Sequence, residues 1–202
     1  MHAPLGLGPS PWHARSVDRH GSPTHHHLCS SSPSTHVIVS PAACAFRGVG
    51  ARESYHLRFY MHDFSNGPNA SAVVVAHGTG PLLGGSKDRR FGDVVVMDDT
   101  LTEGPNTTSR ALGRAQGFYI ASSSISGDPT LHVSMDLVVT SGPCSGSTLA
   151  VTGRDNVLAP VRELPVVGGM GRFRMATGYV LMKTVNWHGN DVLLELDAYV
   201  HA

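Results

Sequence analysis

With 202 residues the chain has room for one domain of moderate size plus a tail, but not for two full domains. Lys and Arg total 15 and Asp and Glu total 15, so no net field draws the chain to nucleic acid or to an anionic membrane surface. No apolar run approaches the ~20 residues of a membrane helix, so neither nucleic acid nor membrane is expected as a partner.

Residues 1–50 form a His-, Pro- and Ser-rich segment of low complexity, expected to be disordered or leader-like. Within it only "VIVSPAACA", residues 37–45, has the short apolar stretch and Ala-x-Ala pattern of a secretory signal, so secretion and a cytoplasmic location both stay open. His25, His26, His27 and Cys29 invite a metal reading, yet no acid or second cysteine at ligand spacing completes a site, and no metal is expected. Cys29, Cys44 and Cys144 cannot all pair within one molecule.

Residues 51–202 are the expected folded domain. Here short apolar or alternating runs are separated by Gly, Pro, Asn, Asp and Ser clusters, the pattern of successive strands and turns. Strands are predicted at 55–64, 70–77, 91–99, 112–122, 130–140, 147–153, 173–186 and 191–200. Alternation is cleanest in "LHVSMDLVV", where Leu131, Val133, Met135, Leu137 and Val139 oppose His132, Ser134 and Asp136. Eight antiparallel strands with one dry face suit a small closed β-barrel, which removes the edges that mispair; an open sandwich satisfies the same periodicity.

Three stretches offer chemistry. In "LRFYMHDF" the carboxylate of Asp63 falls in line with Leu57, Phe59 and Met61, so it either enters the barrel, where burial would make it hold its proton, or caps a solvated turn. Residues 151–173, read as a Gly- and Pro-punctuated connection between strands, carry Asp155 and Arg162; Arg162 either holds a ligand oxygen or pairs with a surface acid. In "GRAQGFY", Gly117 marks a bend or a close approach, and Tyr119 either offers its hydroxyl to a phenol or simply packs. Asn69 and Asn106 begin Asn-x-Ser/Thr sequons, usable as glycosylation sites only on a secretory route. No phosphate loop, nucleophile elbow or telling Cys/His spacing is present in the sequence.

"FYMHDF", "FGDVVVMDDTLTEGP", "GRAQGFY" and "VVGGMGRFRMATGY" occur in the order and at the spacing seen in plant dirigent proteins, from about Leu57 to His201. The resemblance implies an all-β, eight-stranded antiparallel barrel of the dirigent and allene-oxide-cyclase-like, calycin type, assembled as a homo-oligomer, a trimer first and a dimer second. It implies no cofactor: an external one-electron oxidant, a laccase or peroxidase, makes phenoxy radicals such as that of coniferyl alcohol. The barrel holds small phenolic radicals so that one pair of faces couples, as in lignan biosynthesis in the apoplast. Orientation of this kind needs only ~1.4 kcal/mol for tenfold selectivity.

After coupling a quinone methide is protonated by pocket acids, which match Asp63 and Asp155, while Arg162 and Tyr119 match pocket residues and Phe59 is grouped with them as substrate-binding. This chain departs at Ala121, where lignan-forming members carry an aromatic, at Ala176-Thr177-Gly178, and in lacking a C-terminal cysteine. "GYVLMKTVNWHGNDVLLELDAYVH" resembles the dirigent half of grass proteins that continue into a jacalin-type lectin. An oxidant-free cyclase or dehydratase acting on a phenolic, and a non-catalytic binding module in defence, are the competing readings.

Overall fold

A computed structural model describes residues 52–202; the expectations for residues 1–50, including the histidine run, Cys29 and Cys44, lie outside the described residues. Those described form nine strands: β1 (Ser54–Asp63), β2 (Ala72–Ala76), β3 (Val94–Thr102), β4 (Ala111–Ala121), β5 (Thr130–Val139), β6 (Thr148–Asn156), β7 (Arg162–Met170), β8 (Thr177–His188) and β9 (Asp191–His201). They pair in the order β1-β9-β8-β7-β6-β5-β4-β3-β2, and β1 pairs with β3 as well, which closes the barrel. Every ladder is antiparallel.

The eight-stranded barrel predicted from alternation is therefore present, with one position shared. Strand β3 meets β1 at Thr100–Thr102 and β2 at Val94–Met97, so the first two strands flank different halves of one edge. At the other edge of β1 a ladder to β9 runs from Ser54↔His201 to Asp63↔Val192. Strands far apart in sequence thus close the sheet.

Three local predictions need correction. Residues 162–170, read as a connection, are strand β7. Pro165 and a Gly pair hid it: the β6–β7 ladder runs from Met170 to Val166, with a register shift, and Pro165 lies just past its end, where it owes β6 no N–H. The strand placed at 91–99 begins at Val94, because Asp93 turns the chain: its carboxylate accepts from Gly78 N at 2.7 Å and Arg90 N at 2.8 Å. The strand placed at 173–186 begins at Thr177, after a short 3₁₀ turn, Gly171–Phe173, that drives Phe173 into the core.

Inward positions of successive strands fill one half of the barrel with apolar side chains. Leu101, Leu112, Leu137, Leu149, Leu164, Leu196 and Phe173 are all 2 % exposed or less. Each contributes roughly 1.5–3 kcal/mol by transfer from water. Phe173 meets Tyr55 edge to face at 5.4 Å. The strands approach closely enough to require glycine in places: a Cβ on Gly117 would lie 2.2 Å from Ser134 O, and Gly178, at φ 145°, would lie 2.0 Å from Tyr199 O. Gly117 is thus the close approach that its position in a strand suggested.

Candidate functional site

The other half of the barrel is hollow. A cavity of about 430 Å³ opens at the end where β1, β4 and β6 finish and β3, β7 and β9 begin. Its wall is largely apolar, with Met61, Val95, Met97, Leu131, Val133, Met135, Met182 and Leu194 facing inward. At the mouth Lys87, Asp88 and Arg89 come from the segment between β2 and β3, and Trp187 from the end of β8. Asn190 donates to Asp88 Oδ2 at 3.2 Å and ties that segment to the β8–β9 turn.

Asp63, Tyr119, Asp155 and Arg162, from four different strands, all line this one cavity. Phe59 does not. At 3 % exposure it packs in the core below, one inward position short of the lining residue Met61, so its assignment as a substrate-binding residue is corrected to a packing role. Gln116 and Phe118, which alternate with Tyr119 along β4, are exposed outside the barrel.

The alternation that puts Leu57, Phe59 and Met61 inside carries Asp63 in as well, leaving it 7 % exposed. Burial pushes its pKa up to about 6, the neighbouring Asp191 charge adds to this, and the Ser65 hydroxyl and Arg89 pull the other way. Ser65 Oγ donates to Asp63 Oδ1 at 3.3 Å. The half-buried Tyr119 phenol is raised well above its ordinary value, first by burial and then by the Asp63 charge, so it stays protonated at any physiological pH. A carboxyl that keeps its proton up to about pH 6 and a neutral phenol thus share one side of an apolar chamber.

Across the cavity Asp155 and Arg162 form a buried ion pair, with Asp155 Oδ1 and Arg162 Nε 3.0 Å apart and both side chains about 5 % exposed. They are close without being aligned, because neither of those atoms has a hydrogen-bond partner. Arg162 Nη1 donates instead to Thr184 Oγ1 at 2.7 Å and to the Val157 carbonyl at 3.2 Å, which fixes the guanidinium in place. Burial raises the Asp155 pKa and lowers that of Arg162, and each charge opposes the other's shift. A ligand oxygen that took the free Arg162 Nε–H would complete the set.

Sequence reasoning missed Asp99, which is fully buried and points inward from β3 in line with Val95 and Met97. Burial raises its pKa, followed by the Asp63 charge. The signal was present: "VVVMDDTL" alternates Val95, Met97, Asp99 and Leu101 on one face just as β1 alternates Leu57 to Asp63. Among the described residues no group of His, Cys, Asp and Glu could hold a metal ion. No described helix is long and apolar enough to cross a membrane. Cys144 is buried and disulfide-bonded. Both sequon asparagines, Asn69 and Asn106, lie on exposed turns.

Residues 54–201 match the family model "Dirigent-like protein". The chain is 39% identical over 155 residues to Dirigent protein 1 of Arabidopsis thaliana, covering 77% of this chain and 82% of that protein. It is 40% identical over 166 residues to Pterocarpan synthase 1 of Glycyrrhiza echinata, covering 80% and 84%. Among solved structures, a pterocarpan synthase dirigent protein superposes with a TM-score of 0.68 at 37% identity, over 76% of this chain and 93% of that one. A barrel closed in the same way, matched along nearly all of its described length, places this chain in the dirigent family.

Proposed function

We propose that the chamber binds a phenolic and closes a ring on it by proton transfer, with Asp63 as the donor. The observation that carries this reading is a carboxyl in an apolar cavity whose pKa of about 6 suits it to give a proton near neutral pH, beside a neutral phenol, Tyr119. The substrate's benzylic hydroxyl leaves as water, taking up the phenolic proton, to give a quinone methide; Tyr119 donates to its phenolic oxygen, Asp63 protonates that oxygen, and an internal hydroxyl adds to the electrophilic carbon. The proton this hydroxyl sheds passes to Asp155, whose guanidinium neighbour favours its charged form; no electron enters or leaves. Close matches to pterocarpan synthases support ring closure on a single closed-shell phenolic.

A second reading takes the same step after two phenoxy radicals have coupled, with stereochemistry set by the cavity and oxidation supplied by a separate laccase or peroxidase, as in lignan formation. Close matches to Dirigent proteins 1 and 21 of Arabidopsis thaliana favour it. Against it, Ala121 stands in the cavity wall where the lignan-forming pattern has an aromatic. Under either reading the chain works outside the cell without a cofactor. Its exposed Asn69 and Asn106 carry glycans, and its apolar outer face supports self-association: Val73 is opposite Val96, and Val96 opposite Phe118.

The deciding experiment incubates the protein, without oxidant, with an ortho-hydroxybenzylic alcohol that carries an internal hydroxyl, and separates products by chiral chromatography. Parallel reactions contain coniferyl alcohol and a laccase. A ring-closed product in enantiomeric excess without oxidant supports the first reading. An excess confined to the coniferyl alcohol reaction replaces it with the second, and racemates throughout overturn both.

A further inference from the structure

Asp99 has no part in the chemistry so far, yet it is fully buried and its Oδ2 has no hydrogen-bond partner. The β1–β3 ladder pairs Tyr60 with Thr102, Met61 with Leu101 and His62 with Thr100; one further step sets Asp63 opposite Asp99. Residues directly opposite in an antiparallel pair have Cβ atoms about 5 Å apart, and both of these point into the barrel. Ser71 Oγ accepts from Phe64 N at 3.0 Å and lies 2.5 Å from Asp99 Oδ1 and 3.3 Å from the His62 carbonyl. One hydroxyl has one proton to give. Both acceptors are satisfied only if Asp99 carries a proton of its own, donates it to Ser71 Oγ, and leaves Ser71 free to donate to His62 O.

We propose that Asp63 and Asp99 form a carboxyl dyad that gives up its two protons in turn, with Asp99 the positioning residue that returns a proton to Asp63. Two carboxyls so close cannot both ionise at once, so the pair loses its protons in two steps instead of together. The inference rests on the reading of Asp63 as the donor. When Asp63 gives its proton to the substrate oxygen, the proton on Asp99 moves to Asp63, and the proton shed by the ring-closing hydroxyl, taken first by Asp155, passes on through water to restore the pair. Other charges facing the dyad are Arg89 and Asp191 beside Asp63, Asp98 and Arg114 beside Asp99, and the Tyr119 phenol between the walls. Burial and the second carboxylate oppose ionisation, which keeps the reserve proton bound after Asp63 has lost its own.

The test follows the side-chain carboxyl carbons of isotopically labelled aspartate by NMR across pH in the full chain, in Asp99→Asn and in Asp63→Asn. The dyad predicts two steps at Asp63 in the wild type and one in Asp99→Asn, and a lower midpoint for Asp99 in Asp63→Asn. A single step at Asp63, unchanged by Asp99→Asn, overturns it. In the ring-closure assay the alkaline limb of the rate profile moves down by about one pH unit in Asp99→Asn, a tenfold loss on that limb. A uniformly lower rate with an unmoved limb overturns the reloading role and leaves Asp99 as packing. Two-step titration in a protein with no ring-closing activity sustains the dyad and sinks the proposed function, so the two fail separately.

Discussion

The two halves of the barrel are built from the same strands by the same alternation, yet one is solid and the other hollow. Below, the inward positions are Leu101, Leu112, Leu137, Leu149, Leu164 and Leu196, sealed by Phe173. Above, the same inward rows carry Asp63, Asp155 and Arg162 around a cavity of about 430 Å³, with Asp99 buried between the lining residue Met97 and the core residue Leu101. The lower half supplies the burial that holds the sheet closed. Buried charge in the upper half costs stability instead of adding to it. A barrel can thus divide labour along its axis without changing topology.

Substitutions should separate the halves, and the largest effect belongs to the solid one. Phe173→Ala should lose about 3–5 kcal/mol of unfolding free energy in denaturant titrations, whereas Tyr119→Phe, in the hollow half, should change stability by less than about 1 kcal/mol. Similar losses for both would mean that the chamber is as tightly packed as the core. Next, Asp155→Asn strands the buried Arg162 guanidinium and should cost about 3 kcal/mol; adding Arg162→Met should restore most of it, since an apolar pair of like volume has no charge to desolvate. No recovery in the double variant would show that the pair stabilises the barrel in its own right.

The pH dependence is smaller. Asp63 and Asp99 have folded pKa values raised above those of the unfolded chain, so their protonated forms favour folding. That contribution is full below about pH 4, where the unfolded chain is also protonated, and fades as pH rises through about 6 for Asp63 and higher still for Asp99. Wild-type stability measured from pH 5 to pH 8 should therefore fall by on the order of 1–2 kcal/mol, and the Asp63→Asn, Asp99→Asn double variant should flatten the slope. A wild-type curve that rises over this range would refute the assignment. Smallest of all, Val96→Glu on the outer face should shift stability by about 0.5 kcal/mol or less while lowering the mass seen in light scattering. Equal masses would place any self-association elsewhere.

Period-two alternation showed strands with one dry face that need a common interior, while closure, which an open sandwich would not require, came from the resemblance to dirigent proteins. It also made Asp63 a candidate for the interior but left a solvated turn open, and the structure decides it because β1 continues through Asp63. Strand β7 escaped it because Pro165, Gly168 and Gly169 mimic a loop, and the ladder that makes them a strand is a tertiary fact. Phe59 was misplaced for a related reason: alternation tells inside from outside but carries no depth along the barrel axis. The gathering of Tyr119, Asp155 and Arg162 around one cavity follows from register between strands, which no single segment encodes. Asp99 could have been found by treating "VVVMDDTL" as "LRFYMHDF" was treated; of the adjacent acids, only Asp98 is an exposed partner of Arg114.

The seam of the barrel has a consequence for synthesis. Asp63 is held where β1 is clasped between β3 and β9, and its partner in β9, Val192, follows it by nearly the whole folded length. As the chain leaves the ribosome, β3 through β8 can pair in turn, each with its predecessor. The acid has a complete wall only once the last strand arrives. The proposed proton transfer would therefore be a readout of finished translation: a product cut short before β9 keeps every polar residue that lines the chamber and has no chamber to put them in.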